Sequence, residues 1–357
     1  MAAERPVENS AMPPRHLNRD LFPELLVERT EIVTGGAPPD GIPSIDEPEF
    51  LRAGDVSDLD PTEAVMLLQH GSAVRIYPVR IMIWHEIVND VVDGTPIAVT
   101  FCPLCNSGIA FERVVDGQVL DFGTSGYLYR SSLVMYDRQT ESLWTHFDGQ
   151  AVVGTMMGSE LGFLAVSTVS WAQASEAHPD ALVLQGSSNA PKPYGRNPYS
   201  GYDQNDAPLS GFFTLEIPEP VPPMTRVLGV RTSDGQVAIP ASTLAEQAVI
   251  EAELADLEFV AFWAPGTSSP LQGDEITAGD EIGSTGVFDR RLDDRLLSFE
   301  SVSNRFVDIE TGSTWNILGQ AINGPLTGSE LRPLEHLDTF WFAWVSYHPD
   351  TDLLDDR

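Results

Sequence analysis

A chain of 357 residues, 42% of them hydrophobic, exceeds the size at which single cores divide, and no run in it is long and apolar enough to span a bilayer. Its 53 acidic residues against 20 basic ones give a net charge of -33, with Lys192 the single lysine, which excludes nucleic acid as a partner on electrostatic grounds. The same balance fits a soluble, halophilic protein whose self-repulsion is screened by concentrated salt.

Residues 1–33 are rich in Pro, Arg and Glu and read as a loose arm; with no apolar leader near Met1, the expected compartment is the cytoplasm. A turn-dense loop, Gly35-Gly36-Ala37-Pro38-Pro39-Asp40-Gly41-Ile42-Pro43, follows. Asp60-Pro61-Thr62-Glu63 has the pattern of a helix start, with proline at the first helical position, and predicts a short helix through Leu68. A second helix is expected after Tyr77-Pro78, with Ile81, Trp84, His85 and Val88 on one face. Strands are predicted over 97–101, 109–115, 119–122, 133–136, 143–147 and 151–153, with Asp116-Gly117 as a turn. A helix from about Ser170 should end at His178-Pro179, since proline cannot continue the hydrogen-bond ladder.

The chain repeats itself. Gly158-Ser159-Glu160-Leu161 recurs as Gly328-Ser329-Glu330-Leu331, and His178-Pro179-Asp180 as His348-Pro349-Asp350, both at a shift of 170 residues. Trp171 falls on Trp341 at that shift, and, with one gap, Asp137, Thr140, Ser142 and Trp144 fall on Asp308, Thr311, Ser313 and Trp315. The reading is an α+β, strand-rich protein of two tandem homologous modules, 34–185 and 225–357, forming a pseudo-dimer. Between them residues 186–224 make a Pro, Gly and Tyr rich segment, read as a lid over a cleft or as a packed linker.

Residues shared by both copies are most simply scaffold, and those in one copy are free to carry chemistry. Trp263-Ala264-Pro265-Gly266 stands opposite Cys102-Pro103-Leu104-Cys105, and Ile317 stands opposite His146. Nothing in the second half matches Trp84-His85-Glu86, so His85, Glu86, Cys102, Cys105 and His146 belong to the first copy alone. These are the only two cysteines, and three positions apart they cannot staple a fold of this size.

Three readings follow. In the first, both thiolates and an imidazole bind a transition metal, copper or zinc, with His85 the preferred third ligand, His146 next and Glu86, Asp121 or water behind them, and Glu86 as orienting group or general base. In the second, the pair is a redox dithiol with Cys102 as the attacking thiol and Cys105 as the resolving one, although the chain runs on into a strand where a thioredoxin-like site would begin a helix. In the third, the thiols are inert core groups. Tyr127, Tyr129 and Arg130 form a further candidate, an anion contact, against which stands a strand edge with Arg130 paired to a carboxylate.

Gly-Ile-Pro-Ser-Ile-Asp (41–46), Trp-His-Glu-Ile-Val-Asn-Asp (84–90), Thr-Phe-Cys-Pro-Leu-Cys-Asn-Ser (100–107) and Met-Tyr-Asp-Arg-Gln-Thr-Glu-Ser-Leu-Trp (135–144) together resemble the DUF3179 family of bacterial and archaeal proteins. The resemblance runs from about Thr34 over most of the chain and implies no assigned function. Family members often carry export or lipoprotein leaders, from which this sequence departs. His146 stands where the family pattern usually has a smaller polar residue, and this places it below His85 in the ligand ranking. The expected activity is a metal-dependent reaction on a small molecule; the alternatives are a thiol-disulfide oxidoreductase and a non-enzymatic metal carrier or ligand-binding module.

Overall fold

The structure, a computed structural model, describes residues 24–354. It is strand-rich α+β, and its four α-helices are each seven residues long: α1 (Val79–His85), α2 (Trp171–Ala177), α3 (Ala241–Gln247) and α4 (Trp341–Tyr347). None of the described helices is long and apolar enough to cross a membrane.

The internal repeat reappears as matching sheet orders. In the first half the hairpin Ala64–His70/Ala73–Pro78 is flanked by Val166–Ser170 on one side and, in parallel, by Leu182–Leu184 on the other. In the second half Arg226–Thr232/Gly235–Pro240 is flanked by His336–Phe340 and, again in parallel, by Asp352–Leu353. Each hairpin ends in a proline that opens a helix: Pro78 precedes α1 and Pro240 precedes α3, where the fixed φ suits the entry and the missing N–H costs no helical bond. The next sheets, Ile87–Val92/Thr95–Cys102/Ser107–Glu112 and Val249–Leu254/Leu257–Ala264/Ser284–Asp289, also correspond. So do the last, down to a register shift at Leu143/Trp144 that recurs at Thr314/Trp315.

Packing crosses the boundary between the halves. Met66 and Leu68 belong to a core with Cys102, Cys105 and the α4 residues Trp341, Phe342 and Trp344, whereas Val65 and Leu67 pack with Phe262, Phe288 and Trp315. The strand Ala64–His70 is thus buried on both faces, and this corrects the helix expected there. A run such as Ala64-Val65-Met66-Leu67-Leu68 keeps no strand alternation when both faces are covered, so its apolar pattern reads equally well as a helix. The Glu63 carboxylate, expected in a helical first turn, instead accepts from the Asp60 N–H at 2.8 Å and from Arg80.

Residues 1–23 of the expected loose arm lie outside the described residues. The rest of that segment is tied down: Leu26 N donates to Val152 O at 3.0 Å, and Ile32–Thr34 pairs antiparallel with Phe122–Tyr129. The segment 186–224 crosses the molecule and is anchored at several points. Trp84 Nε1 donates to Arg196 O (3.1 Å), Asn197 N to Asp274 O (2.9 Å), and Trp341 Nε1 to Pro218 O (2.9 Å).

Candidate functional site

Cys102 closes the strand Thr95–Cys102, and residues 103–106 turn the chain into Ser107–Glu112 with Cys102 opposite Ser107. The turn needs a left-handed residue, and Asn106 supplies it at φ 53°, a conformation asparagine tolerates well. The two thiols therefore sit in a hairpin turn, with no helix behind them to lower their pKa values. The second half reaches in to hold this turn: the Phe340 N–H (3.2 Å) and the Thr339 hydroxyl (2.6 Å) both donate to the carbonyl of Cys105.

His146 follows the strand Leu143–Thr145, and its N–H donates to Leu133 O at 3.0 Å. The N–H of the same Leu133 points at Cys102 Sγ, 3.4 Å away. That shared neighbour brings His146 to cysteines 41 and 44 positions earlier in the chain. Cys102, Cys105 and His146 each offer a ligand atom, all within 4.8 Å of one another, and all three residues are buried. His146 Nε2 is buried with no hydrogen-bond partner, and Nδ1 makes only a 3.4 Å contact with Ser132 Oγ. Burial lowers the His146 pKa to about 4, against the pull of Cys102 and Asp148, so the imidazole is neutral and keeps a lone pair for a ligand.

The two thiols differ. Burial, reinforced by the Cys105 sulfur beside it, pushes Cys102 well above the ordinary thiol range. Burial alone would raise Cys105 too, but hydrogen bonds with Cys102, Ser107 and Ser132 outweigh it and bring its pKa down. Ser107 Oγ lies 2.9 Å and Ser132 Oγ 3.5 Å from Cys105 Sγ. Cys105 is the sulfur built to hold negative charge.

His85, the preferred third ligand, stands apart from the group that Cys102 and Cys105 form with His146. His85 ends α1 and is buried, but both its nitrogens are engaged: Nδ1 donates to Pro43 O at 2.7 Å, and Nε2 accepts from the Tyr194 hydroxyl at 2.8 Å. It lies outside the cysteine group, and burial lowers its pKa, consistent with a neutral ring bridging a carbonyl and a phenol. Its partners come from the loop at 43 and from the 186–224 segment, contacts that no local pattern encodes. The signal for His146 was in the sequence, since the repeat replaces it by Ile317.

Glu86 caps α1 at φ 60°, and Ala248 caps α3 at φ 62°, so the left-handed turn belongs to the repeated scaffold and only the carboxyl is particular to this half. Its carbonyl accepts from Phe101 N at 2.8 Å, which fixes Glu86 beside the residue preceding Cys102. Burial, aided by the Cys102 sulfur, raises its pKa to about 8, while the Tyr199 hydroxyl, donating at 3.3 Å, pulls the other way. Tyr202 donates to Leu104 O at 2.9 Å, inside the cysteine turn. Three tyrosines of the 186–224 segment thus reach His85, Glu86 and the Cys turn in order. The Arg130 candidate is taken up internally: its guanidinium donates to Ser346 O and lies over the rings of Tyr129 and Tyr347.

Fold and site define a strand-rich α+β protein with an enclosed group of two thiols and one imidazole. The chain belongs to the DUF3179 family, described as a protein of unknown function, whose family profile matches residues 39–351. No curated protein and no solved structure matches it.

Proposed function

We propose that Cys102, Cys105 and His146 hold a transition metal, copper or zinc, and that the protein uses it in a reaction on a small molecule. The observation that carries this reading is the buried, unpartnered Nε2 of His146 in a residue whose ligand atom lies within 4.8 Å of those of two cysteines. An orphaned buried nitrogen costs about 1–3 kcal/mol, a cost that coordination would remove. Soft sulfur with imidazole suits these two ions, and three protein donors are the complement that leaves one position for a substrate or water. Bound there, the ion would supply Lewis acidity or, for copper, one-electron chemistry. Ser107 and Ser132 hold the charge on Cys105, and Glu86, protonated at neutral pH, is placed to give or take a proton beside Cys102. Tyr199 and Tyr202 cover the site and keep water from it.

Elemental analysis of protein purified without chelator tests the assignment. Stoichiometric copper or zinc is expected in the parent and in His85→Phe, with loss in His146→Phe and Cys105→Ser. Equal metal in all four, or none in the parent after loading with either ion, would overturn it.

A second reading has its own support. The raised pKa of Cys102 beside the lowered one of Cys105 is the asymmetry a reversible dithiol uses, and it reverses the roles expected from sequence, with Cys105 rather than Cys102 as the attacking thiolate. Disulfide formation would release two electrons and two protons to an external oxidant. Thiol titration before and after reductant separates the readings, because a ligated pair does not cycle.

A further inference from the structure

Residues of both halves line an open cleft of about 720 Å³, drawn from 148–165, 231–257 and 332–348. Its volume falls in the range of small-molecule sites. Arg231 is the feature that sets it apart. In a chain with 53 acidic residues, ten of the described arginines make ion pairs with carboxylates, yet the half-buried guanidinium of Arg231 has no ion pair or hydrogen bond among the described residues. It lies instead on the face of Phe163, 3.6 Å from the ring centroid, with its donors left for something else. The carboxylates of Glu335, Asp148 and Glu160 act on Arg231 from beyond pairing distance. Leu161, Leu164, Pro333 and Leu334 supply an apolar wall.

A simple anion would gain Arg231 and meet three carboxylates, and a simple cation would gain the carboxylates and meet Arg231 and Arg332. A molecule carrying both signs satisfies both sets. We propose that this cleft binds a zwitterionic amino compound, a free amino acid or a short peptide. Its carboxylate is forked on Arg231, its ammonium faces Glu335, Asp148 and Glu160, and its apolar side chain lies on the leucine wall. Arginine suits the first role because its planar fork matches a carboxylate in two parallel hydrogen bonds. The site is independent of whether Cys102, Cys105 and His146 hold a metal.

Calorimetric titration of the full chain tests this with four probes: L-leucine, L-leucyl-L-leucine, 4-methylpentanoate, which lacks the ammonium, and 3-methylbutylamine, which lacks the carboxylate. Leucine or its dipeptide should bind saturably, and whichever binds tighter identifies the source. Each truncated analogue should bind at least about tenfold more weakly, the worth of one charged contact. Arg231→Met should lose at least about tenfold in affinity with an unchanged circular dichroism spectrum, and, should that variant not fold, Arg231→Lys should still weaken binding several-fold by removing the fork. No binding of leucine or dileucine up to about 20 mM, equal binding of the analogues, or undiminished binding by the Arg231 variants would overturn the proposal.

Discussion

The Tyr199 hydroxyl donates to Glu86 Oε1 at 3.3 Å, and with it the 186–224 segment is fastened to a buried carboxyl that the Cys102 sulfur also acts on. The same segment is fastened to either side of that point, by Tyr194 to His85 Nε2 at 2.8 Å and by Tyr202 to Leu104 O at 2.9 Å. Three hydroxyls on one segment each meet a polar group of the first half, and if that segment is the site's cover, it is held by small, separable terms.

Removing one of them should loosen the cover without unfolding the protein. Tyr199→Phe leaves the packed ring in place and deletes one hydrogen bond, worth about 0.5–1.5 kcal/mol. The expected outcome is a rise of roughly three- to tenfold in the rate at which the site's thiols, Cys105 first, react with a thiol reagent under native conditions, with little change in melting temperature. Tyr202→Phe should act in the same direction. Unchanged rates in both variants would mean that the thiols are reached by global unfolding, and that the segment is not a separable cover.

Glu86 should leave a mark on the pH dependence of stability. Its pKa is about 8 in the folded protein against an ordinary 4.5, so between those values the folded state keeps a proton that the unfolded state has lost. The contribution is fully present below about pH 4.5, falls as pH rises through the window, and is gone above about 8, with a slope of at most about 1.4 kcal/mol per pH unit. His146, lowered to about 4 from 6.5, acts in the opposite sense: its contribution is present above 6.5 and is lost as pH falls toward 4. Urea denaturation at intervals from pH 5 to 9 should therefore show Glu86→Gln gaining on the parent as pH rises and levelling off above about 8, since His146 titrates in both proteins and drops out of the difference. A constant difference across that range would show that Glu86 is not protonated in the folded state.

How much of this was legible beforehand depends on how far each partner lies along the chain. Helix α1 after Tyr77-Pro78 and the cap of α2 are local matters: Ser170 and Gln173 exchange hydrogen bonds in a capping box, and both residues are visible in sequence. The repeat makes the scaffold visible, since Asp137, Thr140, Ser142 and Trp144 return as Asp308, Thr311, Ser313 and Trp315. It also sets His146 apart, as it does His85, and neither the residues nor the resemblance says which of the two imidazoles lies beside the thiols; that is fixed by tertiary contact. His85 satisfies its two nitrogens with Pro43 and Tyr194, residues 42 and 109 positions away. The strand at Ala64–His70 was hidden for a related reason: neither half alone buries both its faces, so its apolar run makes sense only once the two halves are packed.

Metal uptake should be linked to protons. Cys102 is held protonated at neutral pH by burial and by the neighbouring sulfur, and a thiolate ligand must lose that proton. Loading the protein with zinc at pH 7 should release about one proton or more per ion, read as a difference in calorimetric heat between buffers of unlike ionisation enthalpy. Apparent affinity should rise with pH up to and beyond 8. In Cys102→Ser the proton release should drop by about one and the affinity by well over tenfold. Zinc binding with no proton release would remove Cys102 from the ligand set.

The matched aspartates allow scaffold and site to be told apart by experiment. Asp137 accepts from Thr140 N (2.6 Å), Thr140 Oγ1 (2.8 Å) and Trp144 Nε1 (2.9 Å). Asp308 accepts from Thr311 N (2.6 Å), Thr311 Oγ1 (2.9 Å), Ser313 N (3.1 Å) and Trp315 Nε1 (2.9 Å). Both carboxylates are fully buried, and truncating either to alanine leaves several buried donors without an acceptor, at a cost of about 3–5 kcal/mol. Their neighbours differ: two residues past Trp144 stands His146, whereas two past Trp315 stands Ile317. Asp308→Ala and Asp137→Ala should thus be destabilised alike in urea, but Asp308→Ala should keep the parent's metal content per folded molecule, while Asp137→Ala, which frees the Trp144 anchor next to the His146 turn, should lose a large part of it. Equal retention in both variants would mean that the position of His146 is set by Leu133 alone, without help from the buried aspartate.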